Sequence, residues 1–277
     1  MLSHDEAAQV LRWYLDAGVD ETVGEAAYNY RQAPPPPAIA APPPSRAAAS
    51  APAPEPPRQA PRRPAPASLA SAGEAERNAR TIAQAADSLD ALREAMAGFD
   101  LCPLQHTASK LVFADGAADA SIMFIGEAPG ADEDRQGLPF VGVSGQLLDR
   151  MLAGIGLDRT SAYITNIIPW RPPGNRKPTA AEVTMCQPFV ERQIELIGPK
   201  LLVFVGGTAA QALLGRSEGI TKLRGRWIDY VREAVTIPTL PTFHPAYLLR
   251  QPQLKRQSWA DFLAIRRKLA ELGVLSS

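Results

Sequence analysis

The sequence predicts an α/β protein, a three-layer sandwich with helices on both faces of a mostly parallel sheet. Three observations predict this fold class. Short apolar runs such as SIMFIG (121–126) and KLLVFVGG (200–207) are typical of buried parallel strands, because both faces of such strands are covered. Segments with helical spacing of their apolar residues lie between these runs. Strands that alternate with helices along the chain are the pattern of such a sandwich.

The remaining elements are predicted in chain order. They are helices at 71–97, 144–155 and 258–272, a strand at 162–168 and a helix of small residues after the run at 200–207. Thr179, followed three residues later by Glu182, forms a capping box and predicts the start of a further helix. The segment 236–243, TIPTLPTF, predicts a last strand, and its prolines indicate that this strand is short or lies at a sheet edge.

The composition divides the chain into three predicted parts. Residues 1–32 form an N-terminal helical segment, which either binds a protein partner or folds back on the core. Residues 33–69 hold 14 of the 27 prolines together with many alanines and predict a disordered linker, whose arginines either solubilise it or help to hold nucleic acid. Residues 70–277 have a globular pattern and form the predicted folded domain, which holds all the motifs described below.

Charge and cysteine content exclude several classes of protein. The 29 basic and 29 acidic residues cancel, so a nucleic-acid surface would have to be a local basic patch. Two cysteines are too few for a disulfide scaffold. No apolar run is long enough to span a membrane, and the first ten residues lack the layout of a secretion signal. We expect a soluble, monomeric, cytoplasmic protein.

Three segments are predicted to meet in one crevice, because ligands of parallel sheets bind at the carboxyl ends of the strands. GEAPG (126–130) follows the first strand, Asn166 ends the second, and HPAYLL (244–249) follows the last. The turn that begins at Gly126 offers amide groups to an anion or an oxyanion. The acids around it, among them Glu127 and Glu133, either orient water and meet positive charge or form a solvated acidic loop.

The other two segments carry neutral polar groups. Asn166 interrupts an apolar strand, and its amide either reads the imide edge of a pyrimidine or is structural. His244 can donate a hydrogen bond to a leaving group. Leu248 and Leu249 either form a wedge that enters a base stack or belong to a packed helix.

A basic loop, RPPGNRK (171–177), lies beside the predicted crevice. Its prolines make it stiff, and its side chains, Arg171, Asn175 and Arg176 among them, suit contacts with DNA phosphates. Arg250 follows the leucine pair and extends this basic character. Together these residues predict a local DNA-binding surface on a chain of zero net charge.

Three ordered segments resemble one family, the family 4, or iron–sulfur, branch of the uracil-DNA glycosylase superfamily. They are GEAPGADEDRQGLPFVGVSGQLLDRML, YITNIIPWRPPGNRKPT and HPAYLLR, within a resemblance that covers about residues 99–272. The resemblance implies an α/β/α sandwich around a four-stranded parallel sheet. It also implies hydrolysis of the bond between deoxyribose and uracil in DNA, in base excision repair.

The resemblance implies a role for several residues. Phe140 stacks on the flipped-out uracil, Asn166 reads its imide edge, and His244 stabilises the uracil anion as an electrophile. Glu127, ahead of Glu133, is implied in handling water. Gly126 and Ala128 complete the base pocket, Ala128 standing where other branches carry an aspartate or asparagine, and Leu248 occupies the wedge position.

The chain departs from this family at its cluster ligands. Family 4 enzymes hold a four-iron, four-sulfur cluster with four cysteines, and this chain has Phe99, Cys102, Trp170 and Cys186 at those positions. Two thiolates cannot hold such a cluster in the usual way, so we expect no cofactor and no metal.

Three other functions remain open at this point. A protein that binds or covalently traps uracil-containing DNA is one, although the turn continues from GEAPG into ADEDRQGLPFVG without the basic insertion of the trapping branch. An unrelated nucleotide-binding or interaction module that shares only the α/β fold is the second. A glycosylase of broader specificity for deaminated bases is the third, and the small Ala128 permits it.

Overall fold

The computed structural model describes residues 69–232 and 235–275, and side chains from residue 73 onward. The helical segment predicted at 1–32 lies outside these ranges. The linker predicted at 33–69 also lies outside them, apart from Leu69, where the first described helix begins.

A six-stranded sheet forms the centre of the molecule. Its strands are β1 Asp115–Gly116, β2 Ile122–Gly126, β3 Tyr163–Asn166, β4 Leu201–Val205, β5 Ile228–Arg232 and β6 Val235–Thr242. They lie in the order β1-β3-β2-β4-β6-β5. The four inner strands are parallel and are those that the sequence predicted. The number of strands was wrong, because β1 and β5 each add an antiparallel edge.

The position predicted for the last strand was also wrong. β6 has eight residues and lies between β4 and β5. Its prolines are tolerated because each lies outside the register of one neighbour. Pro238 precedes the first pair with β4, and Pro241 follows the last pair with β5. We infer that each missing N–H is on that free side, where no ladder hydrogen bond is lost.

Nine α-helices of the described ranges cover the sheet or lead into it. They are α1 Leu69–Ala85, α2 Leu89–Ala97, α3 Ala131–Gln136, α4 Val143–Ala153, α5 Ala180–Ile197, α6 Gly207–Leu214, α7 Ile220–Leu223, α8 Pro245–Arg250 and α9 Lys255–Glu271. The single helix predicted at 71–97 is two helices, because Ser88 caps a second start through its hydroxyl. The capping box of Thr179 and Glu182 at the start of α5 is confirmed.

The side-chain alternation of the strands produces the three layers. Met123 and Ile125 of β2 face one apolar core, with side chains of α1, α2, α5 and α6. Ile122 and Phe124 face a second core, with side chains of α4 and α9. Both faces of the sheet are therefore buried, as the sandwich prediction requires. None of the helices in the described ranges combines the length and apolarity of a membrane span.

Candidate active site

A pocket of about 430 Å³ opens at the carboxyl ends of the inner strands. Nine of the predicted site residues line it: Glu127, Ala128, Glu133, Phe140, Asn166, Asn175, Arg176, His244 and Arg250. The sheet brings them together from segments more than 100 residues apart in sequence. Three other predicted residues, Gly126, Arg171 and Leu248, are not part of the lining.

Gly126 lies under the pocket, at the end of β2. A side chain there would collide with the amide oxygen of Asn166 and with the ring of Phe140. The glycine therefore allows the amide and the ring to approach each other over the strand end.

Asn166 provides a buried polar group in the pocket. It is the last residue of β3 and is only 5% exposed. Its Oδ1 atom has no hydrogen-bond partner among the described residues. A buried acceptor without a partner costs free energy, about 1–3 kcal/mol, unless a ligand supplies the missing donor.

His244 provides a neutral donor. It is the N-cap of α8, and the amide of Ala246 donates to its Nδ1 over 3.1 Å. Burial, together with the nearby charge of Arg250, lowers the pKa of His244 to about 4. Near neutral pH the ring is therefore uncharged. Because Nδ1 accepts a hydrogen bond, the single proton lies on Nε2.

Phe140 forms an aromatic wall beside this histidine. The two ring centroids are 5.4 Å apart and the planes differ by 26°. Phe140 has φ of 54°, a left-handed conformation that side chains rarely adopt. The ring of Phe140 is placed against His244 by this unusual backbone conformation. Contacts from other residues must stabilise that conformation.

The two candidate glutamates differ in their surroundings. Glu133 is buried, and both of its carboxylate oxygens accept hydrogen bonds from backbone amides: Oε2 from Gly130, and Oε1 from Val141 and Gly142. The carboxylate of Glu133 therefore links the turn at Gly130 to the turn at residues 141–142. Glu127 is only partly buried and makes one side-chain hydrogen bond, accepted at Oε2 from the hydroxyl of Thr208.

Thr208 is a site residue that the sequence did not identify. It lies in the first turn of α6, directly after β4. The signal that could have found it is GGTAA at the end of the run 200–207, since β4 ends at the same edge of the sheet as the predicted segments.

Side-chain hydrogen bonds within the basic loop and to the start of α5 hold the loop in place. The guanidinium of Arg176 donates to both carboxylate oxygens of Glu182, at the start of α5. The Nε of Arg171 donates to Oδ1 of Asn175 over 2.7 Å. Asn175 and Arg176 line the pocket, whereas Arg171 does not.

The two leucines after His244 lie in a packed helix. Leu248 is 1% exposed, so of the two possibilities the packed helix describes it, and it is not an exposed wedge in this structure. The reason is that α8 packs against α4, which covers Leu248. Leu249 is 37% exposed on the other side of the same helix.

The four cluster-ligand positions are close together and buried. The rings of Phe99 and Trp170 stack with centroids 6.5 Å apart. The Sγ atoms of Cys102 and Cys186 are 3.8 Å apart, and the hydrogen bond from Cys186 to Cys102, with burial, raises the pKa of the Cys186 thiol. Two aromatic rings fill the volume of two ligands, so this set of side chains does not fit a four-thiolate cluster.

Comparison with known proteins agrees with this geometry. Residues 113–265 match the family described as the uracil DNA glycosylase superfamily. The chain is 38% identical over 185 residues to the type-4 uracil-DNA glycosylase of Sulfurisphaera tokodaii, covering 65% of this chain and 84% of that protein. It is 38% identical over 190 residues to that of Archaeoglobus fulgidus, covering 67% and 94%. It is 43% identical over 150 residues to that of Thermotoga maritima, covering 54% and 77%. The chain therefore belongs to the uracil-DNA glycosylase superfamily and is similar to its type-4 members.

Proposed function

We propose that this chain is a monofunctional uracil-DNA glycosylase, which hydrolyses the bond between uracil and deoxyribose and leaves an abasic site. The observation that carries this proposal is the buried Oδ1 of Asn166, which has no hydrogen-bond partner within the described part of the chain, in the same pocket as the protonated Nε2 of His244. The pocket thus offers one acceptor, Oδ1 of Asn166, and one donor, Nε2 of His244. A small planar ligand with a donor and an acceptor on its edges can bind both.

Asn166 would select uracil by its imide edge. N3–H of uracil donates to Oδ1, and the side-chain NH₂ group donates to O4. Cytosine presents an acceptor at N3 and a donor at N4, so both contacts would be lost. A site built to hydrogen-bond a buried group can reject an analogue that lacks it by about 10⁴-fold.

His244 would stabilise the leaving group. When the glycosidic bond breaks, the bonding electrons move to uracil, and negative charge develops on a ring carbonyl oxygen. The neutral imidazole can donate its Nε2 proton to that oxygen in a hydrogen bond. Losing one such donor typically lowers the rate by about 10²- to 10³-fold.

Glu127 would serve the sugar side of the reaction. The carboxylate can orient the water whose oxygen bonds to C1′ and can stabilise the positive charge on the sugar ring. Water provides the OH group on the sugar and the proton that uracil finally takes. We assign this role to Glu127 rather than Glu133, because the oxygens of Glu133 are already bound to backbone amides.

The DNA would be held around the pocket by the basic loop. Asn175, Arg176 and Arg250 line the rim, where they can bind the phosphates that flank an extruded nucleotide. Extrusion of a base costs about a few kcal/mol, so a side chain must fill the gap in the stack. We propose Leu249 for that position, because Leu248 is buried.

We also propose that the chain works without a four-iron, four-sulfur cluster. The support is the replacement of two ligand positions by Phe99 and Trp170, whose buried stacked rings fill the space with apolar packing. The chain contains no third cysteine that could substitute.

A uracil-containing oligonucleotide incubated with the purified protein tests the proposed function. We expect free uracil and an alkali-labile site in amounts that exceed the enzyme, together with an intact strand before alkali treatment. A denaturation-resistant adduct with one DNA per protein would instead identify a covalent trap. Parallel substrates with hypoxanthine, xanthine and a thymine mispair test for broader specificity at Ala128.

A further inference from the structure

The backbone of Phe140 is held in a conformation that it would not adopt by itself. Phe140 and Asn175 are the two non-glycine residues of the described ranges with positive φ. A left-handed conformation is unfavourable for a residue with a side chain, so surrounding contacts must compensate for it. Gly145 allows the close approach, since a side chain there would collide with the backbone of Phe140.

Arg159 provides the contacts on one side of this turn. Its Nη2 donates to the carbonyl oxygen of Phe140, and its Nη1 donates to that of Pro139 over 3.0 Å. The guanidinium is itself fixed by carboxylates, Asp115 at 2.6 Å from Nη1 and Asp149 at 2.9 Å from Nε. All three nitrogen atoms are thus bound, and the group is held in one orientation.

Glu133 provides the contacts on the other side. Its Oε1 accepts from the amides of Val141 and Gly142, directly after Phe140. A cation therefore binds the carbonyls before and at the ring, and an anion binds the amides that follow it. Both partners are charged, and hydrogen bonds to charged groups are roughly twice as strong as neutral ones.

We propose that Arg159 is a positioning residue for base binding: by holding the turn at Phe140 it fixes the aromatic wall, and so sets the affinity of the pocket for uracil. This inference rests on the proposed glycosylase function. Arg159 does not line the pocket. It acts through Phe140, and its removal should have no effect once the ring of Phe140 is gone.

The experiment compares Arg159→Met in the wild-type and Phe140→Ala backgrounds, with Arg192→Met as the matched control. Arg192 has the same 24% side-chain exposure and also joins a carboxylate to a backbone carbonyl, but it lies at α5 and contacts Ala86. The readouts are inhibition of cleavage by free uracil and affinity for a duplex with a tetrahydrofuran abasic analogue, which contains no base.

We expect Arg159→Met to raise the inhibition constant of uracil at least tenfold, with less than a twofold change in affinity for the abasic duplex. In the Phe140→Ala background the same substitution should change the inhibition constant less than twofold. Arg192→Met should match the wild type. Arg159→Lys and Asp149→Asn, which retain part of the network, should have intermediate effects and replace Arg159→Met if it does not fold.

An equal loss in both backgrounds would overturn the inference, because Arg159 would then act on the fold rather than through the ring. Unchanged inhibition in every Arg159 and Asp149 variant would also overturn it while leaving the proposed function intact. A wild-type protein that releases no uracil would instead overturn the proposed function, and the inference with it.

Discussion

The hydroxyl of Thr208 donates a hydrogen bond to the carboxylate of Glu127, although the two residues are 81 positions apart in sequence. The contact joins the ends of two adjacent parallel strands, β2 and β4. It fixes one oxygen of the carboxylate and leaves the other for the pocket, which Glu127 lines.

We expect Thr208→Val to lower kcat for uracil release by about tenfold with little change in KM, because the loss of one oriented group affects the chemical step. Thr208→Ser should restore most of the activity, since it keeps the donor. Single-turnover cleavage measures this. An equal loss in both variants would indicate a packing role, and Thr208→Val should add little in a Glu127→Gln background.

Asn166→Ala should lower kcat/KM on uracil-containing DNA by about 10³-fold or more, because both imide contacts are lost. The matched control is Thr165→Val, the preceding residue on β3, whose hydroxyl donates to the carbonyl of Phe113 outside the pocket. That variant should lose about 1 kcal/mol of stability and keep its specificity. Comparable losses of activity in the two variants would contradict the role of Asn166.

The lowered pKa of His244 predicts how the unfolding free energy depends on pH. The pKa of His244 is about 4 in the folded protein and about 6.5, the usual value, in the unfolded chain. The neutral side chain therefore contributes its full stabilisation at pH values above about 6.5. This contribution, roughly 3 kcal/mol, is lost as the pH falls through about 4. The unfolding free energy of His244→Gln should therefore vary less between pH 6.5 and 4 than that of wild type.

The control for the substitution is His106→Gln, because His106 is exposed, does not line the pocket and hydrogen-bonds through its ring to the backbone carbonyl of Asp100. That variant should release uracil at the wild-type rate at neutral pH. The cleavage rate of wild type should show no step near pH 6.5, since His244 stays neutral there. An activity loss centred at that pH would refute the assignment.

The two leucines of α8 should give opposite phenotypes. Leu249→Ala should weaken excision from duplex DNA and spare single-stranded DNA, where no stack must be filled. Leu248→Ala should lower the unfolding free energy by about 2–5 kcal/mol, the cost of truncating a buried leucine. Thermal melts and paired cleavage assays separate the two effects. Loss of duplex excision in a stable Leu248→Ala variant would reverse the assignment.

The purified protein should be colourless, with no absorbance band of an iron–sulfur cluster and with iron far below one atom per chain. Cys102→Ala should retain uracil release, because the thiol does not line the pocket and its side-chain partner is the buried thiol of Cys186. Phe99→Ala should cost about 3–5 kcal/mol of stability, as expected for a buried ring. Brown protein with four irons, lost on substitution of either cysteine, would contradict this prediction.

The inner part of the fold was predictable because its signals are local. Four apolar runs of strand length, with helical spacing between them, predicted the four parallel strands, and the capping box predicted the start of α5. The edges were not. β1 is two residues long and β5 is only half-buried, so neither produces an apolar run, and both depend on a neighbouring strand for their hydrogen bonds.

The same distinction applies to the site. The residues alone made Glu127, Asn166 and His244 candidates, because their motifs follow predicted strand ends that converge at one edge of the sheet, whereas Phe140 became a candidate only through the family resemblance. The resemblance ranked Glu127 ahead of Glu133, and the tertiary structure supplied the physical difference, since the oxygens of Glu133 are bound to backbone amides. Only the tertiary structure buried Leu248 and brought Arg159 to the turn at Phe140. Those two outcomes depend on hydrogen bonds and packing between segments distant in sequence, and no local pattern encodes them.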